Sequence, residues 1–263
     1  MQKVFVSYAD ARMAYSLKRI GKQARELGIF DIIILATPDY LSARISENQQ
    51  VKDTRCGGYI WKPLLIQQVL QEYPDSIVFY ADAGCTLMNS SLWRVFFRFL
   101  DKYNAIFFQY SKEQPQWKRW GSDDSLMKHW TKKMTLQYCA EKYNVPELAE
   151  SPQVLGGIFF VKSSGGFNDV VSAWADEAMH NPVLFADPLP NEKQHPEYVS
   201  HRHDQSILTA IALSSKTTLL FPEIIERYHP DSFIFASRIR AASFAQYCAA
   251  VFKLYVKRIL GKV

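Results

Sequence analysis

The sequence predicts an α/β fold built on a mainly parallel central sheet and followed by a basic amphipathic C-terminal helix. Three observations lead there. Short, unbroken apolar runs such as Ile32-Ile33-Ile34-Leu35 and Ile77-Val78-Phe79-Tyr80 recur along the chain, as expected of strands buried on both faces. Segments with helical spacing separate these runs, which is the signature of βαβ units. The 263 residues are 48% hydrophobic and 22% charged, a balance that suits a packed globular domain and argues against disorder.

The elements follow in order. Val4-Phe5-Val6 reads as a first strand, so the N-terminus does not read as a signal peptide. Ala11 to Leu27 suits a helix, and Ile32 to Leu35 a second strand. Pro63 to Leu70 looks helical, with its proline in the first turn, where a missing N–H costs nothing. Ile77 to Tyr80 is a buried strand, Leu92 to Tyr103 an amphipathic helix and Ala105 to Tyr110 another strand. Ser122 to Tyr143, rich in Lys, Trp and Met, is predicted helical. Val154 to Val161 is a strand hinged on Gly156-Gly157, and Asn168 to His180 a helix. Asn181 to Ser200 holds four prolines and reads as a long loop of the kind that often carries function. A further helix begins at His203.

The net charge of +5 is concentrated at one end. No acid follows Asp231, whereas Arg238, Arg240, Lys253, Lys257, Arg258 and Lys262 do, which leaves the body slightly acidic. Nucleic-acid binding is therefore disfavoured. From Phe244 the apolar residues Phe244, Cys248, Val251, Phe252, Tyr255 and Ile259 share one helical face, with Lys253 and Lys257 on the other side. Such a helix suits the plane of an anionic bilayer. No apolar run approaches the ~20 residues of a membrane span. The scattered Cys56, Cys85, Cys139 and Cys248 form no zinc pattern and fit a reducing compartment. The expected organisation is a domain over 1–237 and a basic helical tail over 238–263, peripheral on the inner face of the cytoplasmic membrane.

Several segments carry candidate chemistry. Asp82, in Tyr80-Ala81-Asp82-Ala83-Gly84-Cys85, ends a buried strand, where ligands bind in open α/β sheets, and Gly84 lets backbone come close to a ligand. Arg55 and Lys62 flank a glycine-aromatic stretch with Tyr59 and Trp61, combining phosphate-binding charge with stacking surface. Tyr8 and Asp10 follow the first strand, where Tyr8 offers a stacking face and Asp10 a hydrogen-bond acceptor or the cap of a turn. His201-Arg202-His203-Asp204-Gln205 opens a helix after the long loop, and Asp204 and Gln205 are the candidate catalytic pair. His229 and His203 carry imidazoles, which suit borderline metals.

Asp82-Ala83-Gly84 resembles the Asp-x-Asp signature of GT-A (Rossmann-like) glycosyltransferases, with Gly84 replacing the second acid. Together with Arg55-Cys56-Gly57-Gly58-Tyr59-Ile60-Trp61-Lys62-Pro63, it looks like glycosyltransferases of bacterial capsule and lipopolysaccharide loci. The motif order, with His-Asp-Gln in place of Asn-Asp-Gln, is similar to glycogenin-type enzymes and leans towards retention. The resemblance runs from Val4 to Ser237. It implies transfer of a sugar from a nucleotide-diphosphate donor, such as a UDP-hexose, to a glycan or lipid-linked acceptor. It also implies a divalent cation, Mn²⁺ or Mg²⁺, held by Asp82 with His229 or His203. Tyr8, Asp10, Arg55, Trp61, Lys62, Asp82, Ala83, Gly84, Gly156 and Gly157 would line the donor. For inversion Asp204 is the candidate base, with Asp123 and Asp124 as alternatives. A sugar nucleotidyltransferase would need a glycine-rich loop after the first strand, and Ser7 to Arg12 has no glycine. A non-catalytic membrane-associated nucleotide-sugar-binding protein is the other alternative.

Overall fold

The computed structural model of the chain describes residues 1–41, 59–113, 121, 122 and 124–259, the last three in backbone only. Six strands form the central sheet. β1 (Gln2–Tyr8) lies between β2 (Ile32–Ala36) and β3 (Ser76–Ala81); then come β6 (Val154–Lys162), β5 (Ala105–Gln109) and β7 (Thr218–Pro222). β1 runs parallel to β2 and β3, and β5 parallel to β7, while β6 is antiparallel to both β3 and β5. The sheet is thus mainly parallel, as the sequence predicts, with one reversed strand at its centre. The short β4 (Thr86–Leu87) and β8 (Ile234–Phe235) pair separately. β4, β7 and β8 go beyond the sequence reading.

Side-chain alternation divides the core into two layers. Phe5, Phe79, Phe108 and Phe160 face Trp93 and Phe96 of α3 (Leu92–Phe99) and Phe233. Val4, Val6, Val78, Tyr80, Phe159 and Val161 face α2 (Trp61–Glu72), α6 (Asp169–His180) and α7 (His203–Ser214). β3 is buried at every residue, which explains its unbroken apolar sequence.

Local chemistry shifts several predicted boundaries. Asp10 caps a 3₁₀ turn, Ala11–Met13, so α1 begins at Ala14 and runs to Leu27. α3 stops at Phe99. The Trp-rich middle splits into α4 (Met127–Trp130) and α5 (Lys133–Lys142), because Thr131 and Lys132 are extended. Lys132 is spent on a tertiary bond there, donating from Nζ to the Val183 carbonyl at 2.6 Å.

Beyond β8 the chain stays tied to the body for a few residues. Ile239 N–H donates to the Gly84 carbonyl at 3.0 Å, Ser16 Oγ–H to the Ile239 carbonyl at 2.8 Å, and Ser16 N–H to the Ala241 carbonyl at 3.1 Å. α8 (Phe244–Ile259) then projects outward. Tyr15 touches the rings of Phe244 and Tyr247 at its root, but Phe244, Phe252 and Tyr255 remain 63%, 66% and 62% exposed. Among the described residues, no helix is long and apolar enough to cross a membrane.

Candidate active site

The register of β1 on β3 pairs Val6 with Tyr80, so Tyr8 and Asp82 leave the sheet side by side at its carboxyl edge. Because β6 runs the other way, its early residues Gly156 and Gly157 reach the same edge. Asp82 N–H donates to the Gly157 carbonyl at 2.8 Å. Here the glycines are a steric requirement. A Cβ on Gly157 would stand 2.7 Å from Asp82 Oδ2, and one on Gly156 would stand 3.2 Å from Gln205 Cβ and 3.3 Å from Asp204 Oδ2.

Lys62, in the first turn of α2, is drawn into the middle of this floor. Its ammonium lies 3.1 Å from Asp204 Oδ2 and 3.4 Å from Asp82 Oδ1, and donates to the Gly156 carbonyl at 3.0 Å. The Lys62 and Asp204 side chains are 5% and 7% exposed, whereas Asp82 is 50% exposed. The cluster therefore has a buried base and one carboxylate open to a ligand. Burial alone disfavours a charged lysine, but Asp204 and then Asp82 outweigh it and hold the Lys62 pKa above its usual value. Burial also pushes the Asp204 carboxyl up, against the pull of Lys62. Tyr80 donates its hydroxyl to Asp82 Oδ1 at 2.8 Å, and burial keeps that phenol protonated far into the alkaline range.

Asp204 sits in the first turn of α7, where a carboxylate complements the helix dipole. Its carbonyl accepts from the Trp174 indole at 3.1 Å. Gln205 is engaged at both ends: its Oε1 accepts from Gly156 N–H at 3.2 Å, and its Nε2 donates to Gln153 Oε1 at 2.6 Å. Tyr8 stacks on Trp61 with ring centroids 4.0 Å apart, and Tyr59 lies against both Trp61 and His203.

No protein-family model matches the sequence, and no curated protein matches it. Among solved structures, the chain is similar to the apo form of mouse xyloside xylosyltransferase 1. The two are 11% identical over 85% of each chain, with a TM-score of 0.41. It is also similar to core-mannan synthase A from Aspergillus fumigatus in its Mn/GDP form, at 8% identity over 96% of this chain and 85% of that one, with a TM-score of 0.37.

The structure brings together Tyr8, Trp61, Lys62, Asp82, Gly156, Gly157, Asp204 and Gln205. Other predicted residues are occupied elsewhere. Asp10 caps its turn and pairs with Arg12, whose hydrogen bond lowers the Asp10 pKa. Ala83 is buried, and its carbonyl accepts from Arg19. Gly84 turns its carbonyl to Ile239 and Ser237. Arg55 and the alternative base Asp123 lie outside the described residues, and Asp124 hydrogen-bonds locally with Ser122 and Leu126.

The proposed metal ligands do not converge. His203 Nδ1 is 2.8 Å from the Phe185 carbonyl, and His229 is exposed beside Asp231. Among the described residues, no group of three or more His, Cys, Asp or Glu could hold a metal ion. Asp204 is the nearest second carboxylate, but it is buried against Lys62. Among the described residues, the donor set therefore fits a divalent cation poorly.

Sequence reasoning missed Tyr80 and Gln153 as members of the site. Strand periodicity carries a signal for Tyr80, since residues two apart on a strand share a face. Nothing local distinguishes Gln153.

Proposed function

We propose that this chain is a GT-A glycosyltransferase that moves a sugar from a nucleotide-diphosphate donor, such as a UDP-hexose, to a hydroxyl of a surface-glycan or lipid-linked acceptor. The carrying observation is the Asp82–Lys62–Asp204 cluster at the carboxyl edge of β1 and β3, where open α/β sheets bind ligands. A half-exposed carboxylate above a buried ion pair suits hydroxyl-rich ligands, because each hydroxyl donates one hydrogen bond to it. Tyr8, backed by Trp61, offers a ring face to a nucleobase. Asp204, 7% exposed against Lys62, positions the exposed Asp82 through that lysine rather than meeting the sugar or the acceptor itself. Gln205 keeps Gly156 in place beneath it.

The test is a panel of nucleotide sugars read by thermal shift and by donor hydrolysis. At least one donor should stabilise the protein and be turned over, and Asp82→Ala should abolish turnover. An absence of binding across the panel refutes the reading. Turnover that persists in Asp82→Ala moves the site elsewhere.

The outward apolar side chains of α8, next to a stretch without acids, support peripheral attachment to an anionic membrane. On this reading, transfer takes place at the inner face of the cytoplasmic membrane, where lipid-linked acceptors lie.

A further inference from the structure

We propose that Lys62 takes the place of a divalent cation in this site: its ammonium is the resident counter-charge that fixes Asp82 and Asp204, and nucleotide-sugar binding needs no metal. This rests on the nucleotide-sugar reading above and adds to it how the site manages charge.

The first argument is coordination. Lys62 Nζ donates to the Gly156 carbonyl at 3.0 Å and is ion-paired with Asp204 Oδ2 at 3.1 Å and Asp82 Oδ1 at 3.4 Å. These oxygens come from β6, from α7 and from the turn that ends β3 respectively, and the lysine from α2. Four elements of the fold thus meet at one nitrogen. The rings of Tyr59, Trp61 and Tyr80, at 5.5, 5.7 and 5.4 Å from that nitrogen, complete its surroundings and favour a cation by their quadrupoles.

The second argument is competition. A hard cation needs several oxygen ligands, and the oxygens that converge here already surround Lys62. Gly84 supplies none in the place of a second acid. A dication beside Asp82 would also meet the repulsion of an ammonium that cannot withdraw, because its stem is packed in the first turn of α2.

The third argument is the balance left over. Two carboxylates against one ammonium leave a net negative charge, and it resides on the exposed Asp82. Among the described residues, Asp82 Oδ2 accepts no hydrogen bond. A carboxylate in that state binds hydroxyl donors of a ribose or a hexose directly.

The experiment is calorimetric titration of UDP-glucose, UDP-galactose and GDP-mannose into the full-length protein, after chelation with EDTA and again with added Mn²⁺. The proposal expects the same affinity in both conditions, to within about threefold. Affinity that falls by about tenfold or more on chelation and returns with Mn²⁺ overturns it. Failure of all three sugars to bind in either condition is a different result, which overturns the functional reading together with what rests on it. Lys62→Met adds an arm that does not depend on turnover. With its two carboxylates uncompensated, this variant should acquire a Mn²⁺ site visible as loss of the free-ion signal in electron paramagnetic resonance, while the wild type shows none. Tight Mn²⁺ binding by the wild-type protein would refute the proposal even if Lys62→Met does not fold.

Discussion

Asp82 and Gly157 face each other across adjacent antiparallel strands, joined by a backbone hydrogen bond of 2.8 Å, with the aspartate side chain lying where a β-carbon on the glycine would be. Gly157→Ala should therefore push the carboxylate off Tyr80 and Lys62. We expect donor affinity to drop by about tenfold or more, with little loss of stability because Asp82 is half-exposed and can rotate into solvent. Calorimetry and thermal melts on the same samples separate the two effects.

Removing Asp204 has the opposite balance. Asp204→Ala leaves Lys62 buried with Asp82 as its remaining carboxylate. Breaking a buried pair from one side costs about 3–5 kcal/mol, and the surviving Asp82 contact places this case at the low end. Urea denaturation measures it. A loss below about 1 kcal/mol would mean that the lysine finds water or sheds its proton.

His201 gives the protein a pH dependence that is separate from the site. It is 4% exposed. Burial, assisted by the neighbouring His203 and Lys132, pushes its pKa down to about 3. The neutral ring lies 2.8 Å from the Leu184 carbonyl through Nε2. An unfolded histidine titrates near 6.5, so below that pH the unfolded chain binds the extra proton and stability falls. The expected loss is about 2 kcal/mol between pH 7 and pH 5. Urea melts at both pH values should show it in the wild type, and His201→Gln should flatten the slope.

Removing the tail costs the body the contacts of Tyr15 and Arg19 with the root of α8. Truncation after Ala241 keeps the bonds of Ser16 and Gly84 to residues 239–241. We expect a small drop in melting temperature and loss of sedimentation with phosphatidylglycerol vesicles. Full-length protein should lose the same binding on neutral vesicles or at high salt, since each basic residue at an anionic surface contributes about 1 kcal/mol. Equal binding by the truncated chain would place the membrane contact elsewhere.

Much of this was legible in the sequence, because buried strands and the residues that follow them leave a one-dimensional trace. The runs at Ile32 and Ile77 gave two strands, and the acid after Tyr80 marked the sheet edge. What remained hidden depends on convergence. Lys62 was expected to face a diphosphate, a natural role for a cation beside aromatic residues. In the structure it faces inward, because Asp204, 142 residues later in the chain, and Asp82 fall on either side of it. The partners of His203, Gly84 and Ala83 were equally invisible, since a carbonyl acceptor leaves no mark on composition. β4 and β8 are two residues each, too short for periodicity to register.

The stretch from Ser237 to Ala241 closes the turn after Asp82 on one side and roots α8 on the other. One joint therefore sets both the turn after Asp82 and the bearing of the exposed helix. If that helix lies flat on a bilayer, the Asp82 edge of the sheet is held at a fixed height above it. An acceptor anchored in the same leaflet would then be found by lateral diffusion at a concentration set by surface density, and the rate of transfer would follow the crowding of the membrane rather than the volume of the cell.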